Sequence, residues 1–214
     1  MRTIELKNEE YWLIGIEETD ESTIYTFPEK VYPKLEIIQM SFHSDNNIIF
    51  EETMWEAPNL KYLSISGEVA LRNTQKLMET CIEPKFEGIE LYETRIMQIP
   101  DFILKSKNLK SLIFRREPII ELNIGLFDLV NLEYLSFHYC KGISTIPDEI
   151  KNLINLTSFN LWEAKPVYIS TELFLLPKIS HISFAYTHYK NQTKEFDDAL
   201  QKFKNNSGYY FIGY

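Results

Sequence analysis

The sequence predicts an α/β solenoid, and two observations predict it. In the stretch NLEYLSFHYCKGISTIPDEI, residues 131–150, the apolar residues Leu132, Leu135, Phe137, Cys140, Ile143, Ile146 and Ile150 fall at offsets 0, 3, 5, 8, 11, 14 and 18. That spacing suits neither one helix nor one strand. The same stretch also recurs, as KLEIIQMS at 34, NLKYLSIS at 59, KFEGIELY at 85, NLKSLIFR at 108, NLTSFNLW at 155 and KISHISFA at 178. The first apolar residues of the seven copies stand at 35, 60, 86, 109, 132, 156 and 179, at intervals of 25, 26, 23, 23, 24 and 23. Self-similarity at such a period marks coils that cannot bury an apolar edge alone and do so by stacking.

Leu132, Leu135, Phe137, Cys140 and Ile143 match in full the signature L-x-x-L-x-L-x-x-N/C-x-L. Ile146-Pro147 followed by Ile150 and Leu153, and Ile99-Pro100 followed by Ile103, look like the second half of plant-like and bacterial repeats, I-P-x-x-I/L-x-x-L. On these residues the chain resembles the leucine-rich repeat proteins over roughly residues 35 to 187. The resemblance implies a right-handed superhelix with a parallel concave sheet and an irregular or helical convex side. The position that usually carries Asn is filled by His43, Glu68, Thr94, Glu117, Cys140, Ala164 and Thr187, of which only Cys140 conforms. Irregular curvature is therefore expected.

Taken in order, the elements form one domain, 1–214. Residues 1–33 read as an N-terminal cap, with YWLIGIE and STIYTF bracketing the acidic turn ETDES as a strand pair. Residues 34–187 read as about seven repeats. In each, a short strand alternates, so that Leu135 and Phe137 point inward while Tyr134, Ser136 and His138 point outward. In the longer early repeats, 73–82 places Leu77, Met78, Cys81 and Ile82 on one face, which suits a helix. Residues 188–214 read as a C-terminal helix-strand cap: Phe196, Ala199, Leu200 and Phe203 share a helical face, Gly208 can close it, and YYFIG forms a last strand. Covered at both ends, the chain reads as a complete solenoid.

The composition narrows function. With 214 residues, 44% hydrophobic and 25% charged, the chain can bury a sizeable core. A net charge of -9 offers no pull toward nucleic acid or anionic membrane, so neither is an expected partner. The apolar run YWLIGI is too short to span a bilayer and MRTIELKNEE lacks the apolar core of a signal peptide, which together predict a cytoplasmic protein. Cys81 and Cys140 form no metal or redox motif and read as reduced thiols.

No nucleotide, zinc-protease, nucleophile-elbow or calcium-loop signature is present, and no catalytic residue or cofactor is expected. His138 and His181 would lie about 16 Å apart on the sheet, too far to share one metal. Cys140 falls on a buried position and reads as an inert small hydrophobe. A competing enzymatic reading would have to use Glu90, Glu93, His138 and Cys140.

Binding is expected on the concave columns, because outward residues at equal offsets stack about 4.8 Å apart. Six residues after each marker stand Ser41, Ser66, Tyr92, Arg115, His138, Trp162 and Ala185. Beside them lie Glu93, Arg116, Tyr139, Glu163 and Tyr186. Two residues after the marker, the large members are Tyr62, Tyr134 and His181. The candidate partner-binding set is therefore Tyr62, Tyr92, Arg115, Arg116, Tyr134, His138, Tyr139, Trp162 and Tyr186, a Tyr/Trp/Arg composition typical of protein-binding hot spots. The alternative is that these side chains only stack on one another along the sheet, with Arg115 over an aromatic ring and Arg116 balanced by Glu93 or Glu163. The expected function is non-catalytic binding of a protein partner by a monomer. Two alternatives are an inhibitor or immunity-type protein that neutralises a basic toxin or enzyme, and an extracellular recognition protein whose leader has been removed.

Overall fold

The computed structural model describes residues 2–3, 11–16, 25–26, 34–42, 48–49, 59–68, 71, 85–185, 193–206 and 209–211. Its main element is a nine-stranded, all-parallel, open sheet. In spatial order this holds β2 (Tyr11–Ile16), β4 (Ile37–Phe42), β6 (Tyr62–Ser66), β7 (Gly88–Tyr92), β8 (Ser111–Arg115), β9 (Tyr134–His138), β11 (Ser158–Asn160), β13 (His181–Ser183) and β14 (Tyr209–Phe211). Register is constant: Tyr62, Gly88, Ser111, Tyr134, Ser158 and His181 lie side by side. Parallel strands need a crossover between them, and here each crossover is one coil.

On the other side of the coils the chain makes two small parallel sheets. One joins β1 (Arg2–Thr3), β3 (Tyr25–Thr26) and β5 (Ile48–Ile49); the other joins β10 (Thr145–Ile146) and β12 (Tyr168–Ile169). The crossovers also carry a five-residue helix, α1 (Asp101–Lys105), and 3-10 turns at Ile124–Asp128, Asp148–Asn152 and Thr171–Leu175. This is the expected mixture of loop, short helix and turn. Asn123 and Ser170 begin two of the turns, their side-chain oxygens accepting from the N–H groups of Gly125 and Glu172 at 2.8 and 3.2 Å.

The strand pair expected between YWLIGIE and STIYTF does not form. Instead β2 enters the main sheet beside β4, with Tyr11 opposite Ile37 and Ile16 opposite Phe42, and β3 pairs with β1 and β5. The reason is the period. Tyr11 and Ile37 are 26 residues apart and Tyr25 and Ile48 are 23, the same intervals that separate the other coils, so parallel stacking satisfies the backbone of β2 over its whole length. The helix expected over 73–82 lies outside the described residues, as do Tyr186 and Gly208.

The core follows from strand alternation. Three residues after each marker, Ile38, Leu63, Ile89, Leu112, Leu135, Phe159 and Ile182 are all buried, and five after it so are Met40, Ile65, Leu91, Phe114, Phe137, Leu161 and Phe184. Phe114 and Phe137 stack at 5.5 Å between ring centres, and Phe159 meets Phe137 edge-on at 6.2 Å. Aromatic neighbours at these distances add to the area they bury. From the crossovers, Ile143, Ile146, Ile150 and Leu153 complete the coil interior. At the far end α2 (Lys194–Asn205) begins at Thr193, whose hydroxyl accepts from Phe196 N–H, and lays Phe196, Leu200 and Phe203 against the last coils. Phe174 gathers Phe184, Phe196 and Phe203 around it at 6.4, 5.2 and 5.9 Å.

Polar groups stitch the coils in two repeating ways. At strand entry one carbonyl accepts two N–H groups of the next coil: Lys110 and Ser111 donate to Glu87, Glu133 and Tyr134 to Lys110, and Thr157 and Ser158 to Glu133. Just before the strands, Asn131 donates its amide to the Lys107 carbonyl and Asn155 to the Val130 carbonyl, both at 2.9 Å. After the strands, Glu117 takes the role that asparagine would have. Its carboxylate, 1% exposed, accepts from Thr94 N–H at 2.8 Å, Thr94 hydroxyl at 2.9 Å and Ile96 N–H at 3.2 Å. Burial pushes the Glu117 carboxyl above the ordinary glutamate value, against the pull of these donors. In the next coil Cys140 is fully buried, its Sγ 3.7 Å from the Phe114 carbonyl.

Three predictions test this stacking. Glu117→Ala leaves the Thr94 and Ile96 N–H groups without an acceptor and should cost about 3 kcal/mol in chemical denaturation. Because folding raises the Glu117 pKa, the stability linked to that group is complete below the unfolded value and is lost as pH rises through the folded one. Stability curves of the wild type minus Glu117→Gln should therefore slope downward with pH above about 4.3, and a flat difference would contradict the assignment. Separately, a Cβ at Gly142 would stand 2.4 Å from the Ile119 carbonyl oxygen, a backbone atom of the adjacent coil. Gly142→Ala should lose about 1–3 kcal/mol, seen as a lower thermal midpoint.

Candidate functional site

The alternation that buries offsets three and five leaves offsets two, four and six on the open face of the sheet. At strand exit the rule changes. Gly67, Glu93, Arg116, Tyr139 and Glu163, each seven residues after its marker, all have left-handed backbone, with φ of 91, 52, 55, 59 and 55°. Each donates its N–H to the carbonyl six residues past the next coil's marker: Gly67 to Tyr92, Glu93 to Arg115, Arg116 to His138, Tyr139 to Trp162 and Glu163 to Ala185. The left-handed residue thus extends the ladder by one bond, and in four of the coils it turns the following residue, Thr94, Glu117, Cys140 or Ala164, inward, whereas Glu68 after Gly67 stays exposed. Glycine adopts this conformation freely, whereas other residues give up about 1–2 kcal/mol each.

Because of that turn, two consecutive residues per coil stand at the same edge of the face. Tyr92 and Glu93, Arg115 and Arg116, His138 and Tyr139, and Trp162 and Glu163 form a strip two side chains wide. Its members hold one another. Arg115 Nε contacts Glu90 Oε1 at 2.6 Å, and Arg116 donates to Glu93 at 2.9 Å. The Arg116 guanidinium lies 5.8 Å from the Tyr92 ring centre and 5.5 Å from that of Tyr139. His138 meets Tyr139 and Trp162 edge-on at 4.7 and 5.5 Å. Lys141 Nζ lies 3.8 Å from Glu163 and 5.9 Å from the Tyr139 ring centre.

These contacts set the electrostatics. Hydrogen bonding to Glu163 is the main cause raising the Tyr139 pKa, and hydrogen bonding to Glu93 does the same for Arg116. His138 is lowered, first by burial and then by the nearby Arg115, so it is neutral at neutral pH. The side chains of Glu90, Tyr92, Arg115, Arg116, His138 and Tyr139 line a shallow open depression of about 390 Å³.

Of the nine candidates, Tyr92, Arg115, Arg116, His138, Tyr139 and Trp162 come together in this strip. Tyr62 and Tyr134 do not: they occupy the first position of β6 and β9, four residues and about 13 Å along the strand from the strip. The Tyr62 ring leans over β7, with its Cδ1 2.5 Å from where a Cβ on Gly88 would stand. Tyr186 lies outside the described residues. Of the two carboxylates expected to balance Arg116, Glu93 does so, while Glu163 pairs with Lys141; the pairing of Glu90 with Arg115 and the part of Lys141 were missed. Gly67 marks in the sequence the left-handed position shared by Glu93, Arg116, Tyr139 and Glu163, whereas Glu90 stands one coil before Arg115 and two positions short of its column.

The residues of the enzymatic reading are otherwise engaged. Burial lifts the Cys140 thiol to about 12, so almost none of it is thiolate at neutral pH, and Glu90 is tied to Arg115. Among the described residues no group of three or more His, Cys, Asp or Glu could hold a metal ion. Nor is any described helix long and apolar enough to cross a membrane.

No family model and no curated protein matches the chain. Solved structures do. The leucine-rich repeat domain of the type III effector XopL superposes with a TM-score of 0.57 at 15% identity, over 90% of this chain and 69% of that one. Internalin C2 from Listeria monocytogenes superposes with a TM-score of 0.53 at 18% identity, over 85% and 72%. With the repeat period, the parallel register and these neighbours in agreement, the chain has the leucine-rich repeat fold.

Proposed function

We propose that the protein is a non-catalytic interaction module that binds a protein partner on the concave, open face of its sheet. The observation that carries this reading is the convergence of Tyr92, Arg115, Arg116, His138, Tyr139 and Trp162 on one strip, with the arginines pinned by carboxylates and the rings by one another. Side chains already ordered lose little entropy when a partner docks, and aromatic and arginine anchors supply most of the energy in protein interfaces. The fold itself supports the reading, since solenoids offer extended binding surfaces. The protein acts as a monomer in the cytoplasm, and neither nucleic acid nor membrane is its target.

The net charge of -9 favours a second reading, in which the partner is a basic toxin or enzyme that the protein neutralises. Steep loss of affinity with rising salt would distinguish this reading from the first.

Affinity purification from native lysate with the wild type and an Arg115→Glu, Trp162→Ala double variant tests the site. The variant should keep its circular dichroism spectrum and its thermal midpoint within a few degrees, and lose the co-purifying protein by tenfold or more. Equal capture by a folded variant would move the binding surface elsewhere.

A further inference from the structure

We propose that the groove between α2 and the last crossover is a second docking site, apart from the open face of the sheet, and that its occupant is an amphipathic helix of a protein partner lying antiparallel to α2. The proposal stands independently of the concave reading.

The first observation is the shape of this end of the solenoid. α2 packs on the Thr171–Leu175 turn and buries Phe196, Leu200 and Phe203. Beside that seam the two elements leave an open groove of about 660 Å³, room for several apolar side chains. Phe174, Leu176 and Phe203 form its buried floor, and Ala199 lines it from the middle of α2. A small residue there lets a second helix approach closely.

The second is Leu175, which forms one wall of the groove. It is 63% exposed, whereas Phe174 and Leu176 on either side of it are 8% and 6% exposed. In the three preceding coils the residue that ends the corresponding helix or turn is Lys105, Asp128 and Asn152. Stacking of the coils therefore does not call for an apolar side chain at this place.

The third is charge. Glu195 stands near the start of α2 and Lys202 two turns further on, both exposed and both lining the groove. The spacing puts them about 10 Å apart along the helix axis. Neither forms an ion pair with another described residue. An apolar floor with opposite charges at its two ends is the pattern that an amphipathic helix matches with its i, i+3, i+4 and i+7 positions. Orientation follows from the same charges. A helix antiparallel to α2 brings its own N-terminal end to Lys202 and its C-terminal end to Glu195. Acidic residues suit a helix N-terminus and basic ones a C-terminus, so the side chains that pair across the groove also complement the dipole of the helix that carries them. A parallel helix would need the opposite, unfavourable placement.

The test uses the full chain and two labelled peptides of about eighteen residues, each with leucines at i, i+3, i+4 and i+7 and each held helical by a hydrocarbon staple on its outer side. One peptide has glutamates in its opening turns and lysines in its closing turns; the other has them reversed. By fluorescence anisotropy the wild type should bind the first about tenfold tighter than the second, with the difference shrinking as salt rises. A Glu195→Lys, Lys202→Glu variant should invert that preference, and Leu175→Ser should weaken both peptides by about tenfold. All three positions are exposed, so these variants should melt within a few degrees of the wild type. Lys202→Glu alone, which should erase the preference, serves if the double exchange fails to fold. The Arg115→Glu, Trp162→Ala variant should bind the first peptide as the wild type does. No binding by the wild type, a preference that survives the charge exchange, or undiminished binding by Leu175→Ser would overturn the proposal and leave the concave reading untouched. Loss of the peptide on the Arg115→Glu, Trp162→Ala variant would overturn it as well, by placing the peptide on the open face.

Discussion

No coil of this protein has a core of its own. Each is a loop of 23 to 26 residues with an apolar inner edge, and that edge leaves water only when the next coil lies against it in register. The parallel ladder enforces the register. Once Leu112 lies beside Leu135 and Phe114 beside Phe137, every other position in the two coils is matched as well. The Phe stack, the paired entry bonds and the columns of the open face are consequences of that single alignment.

Stacking also explains how the protein manages without a regular asparagine ladder. The need for such a ladder arises because a chain leaving a strand turns away from its neighbour and strands its N–H groups in a dry interior. Here a buried carboxylate at Glu117 meets it for one coil, accepting from the Thr94 and Ile96 N–H groups, while on the opposite edge of the strands the side-chain amides of Asn131 and Asn155 donate to carbonyls of the preceding coil. Glu117 is the costlier solution, because three donors must compensate a charge removed from water. It ties the coil of β7 to that of β8, immediately beneath the strip of large side chains.

The open face shows the same economy. Its large residues are held by ion pairs and ring contacts between successive coils. Exposed ion pairs of this kind contribute little to stability, so their effect is geometric: they fix where Arg115 and Arg116 point. The left-handed turn at strand exit widens the strip, since it sets two consecutive side chains outward before the chain dives into the core.

Much of this was legible in the sequence. The period, the inward positions and the outward columns could be read directly because strand alternation is local and repeats identically from coil to coil, and a repeating apolar pattern has few ways to be buried. Six of the nine candidate side chains could be grouped for the same reason. Other features depended on distance in space. That YWLIGI joins the main sheet was decided by which strand is free to receive it, and the hairpin reading, equally good locally, lost to parallel stacking at the repeat period. That Glu117 replaces asparagine and that Glu90 restrains Arg115 each required residues some twenty positions apart to be placed against one another. The sequence by itself determined the coil and its repetition, because those are set by backbone geometry and the burial of apolar residues. Which polar groups meet was decided by the tertiary structure alone, because pairing depends on distances between coils that no single coil encodes.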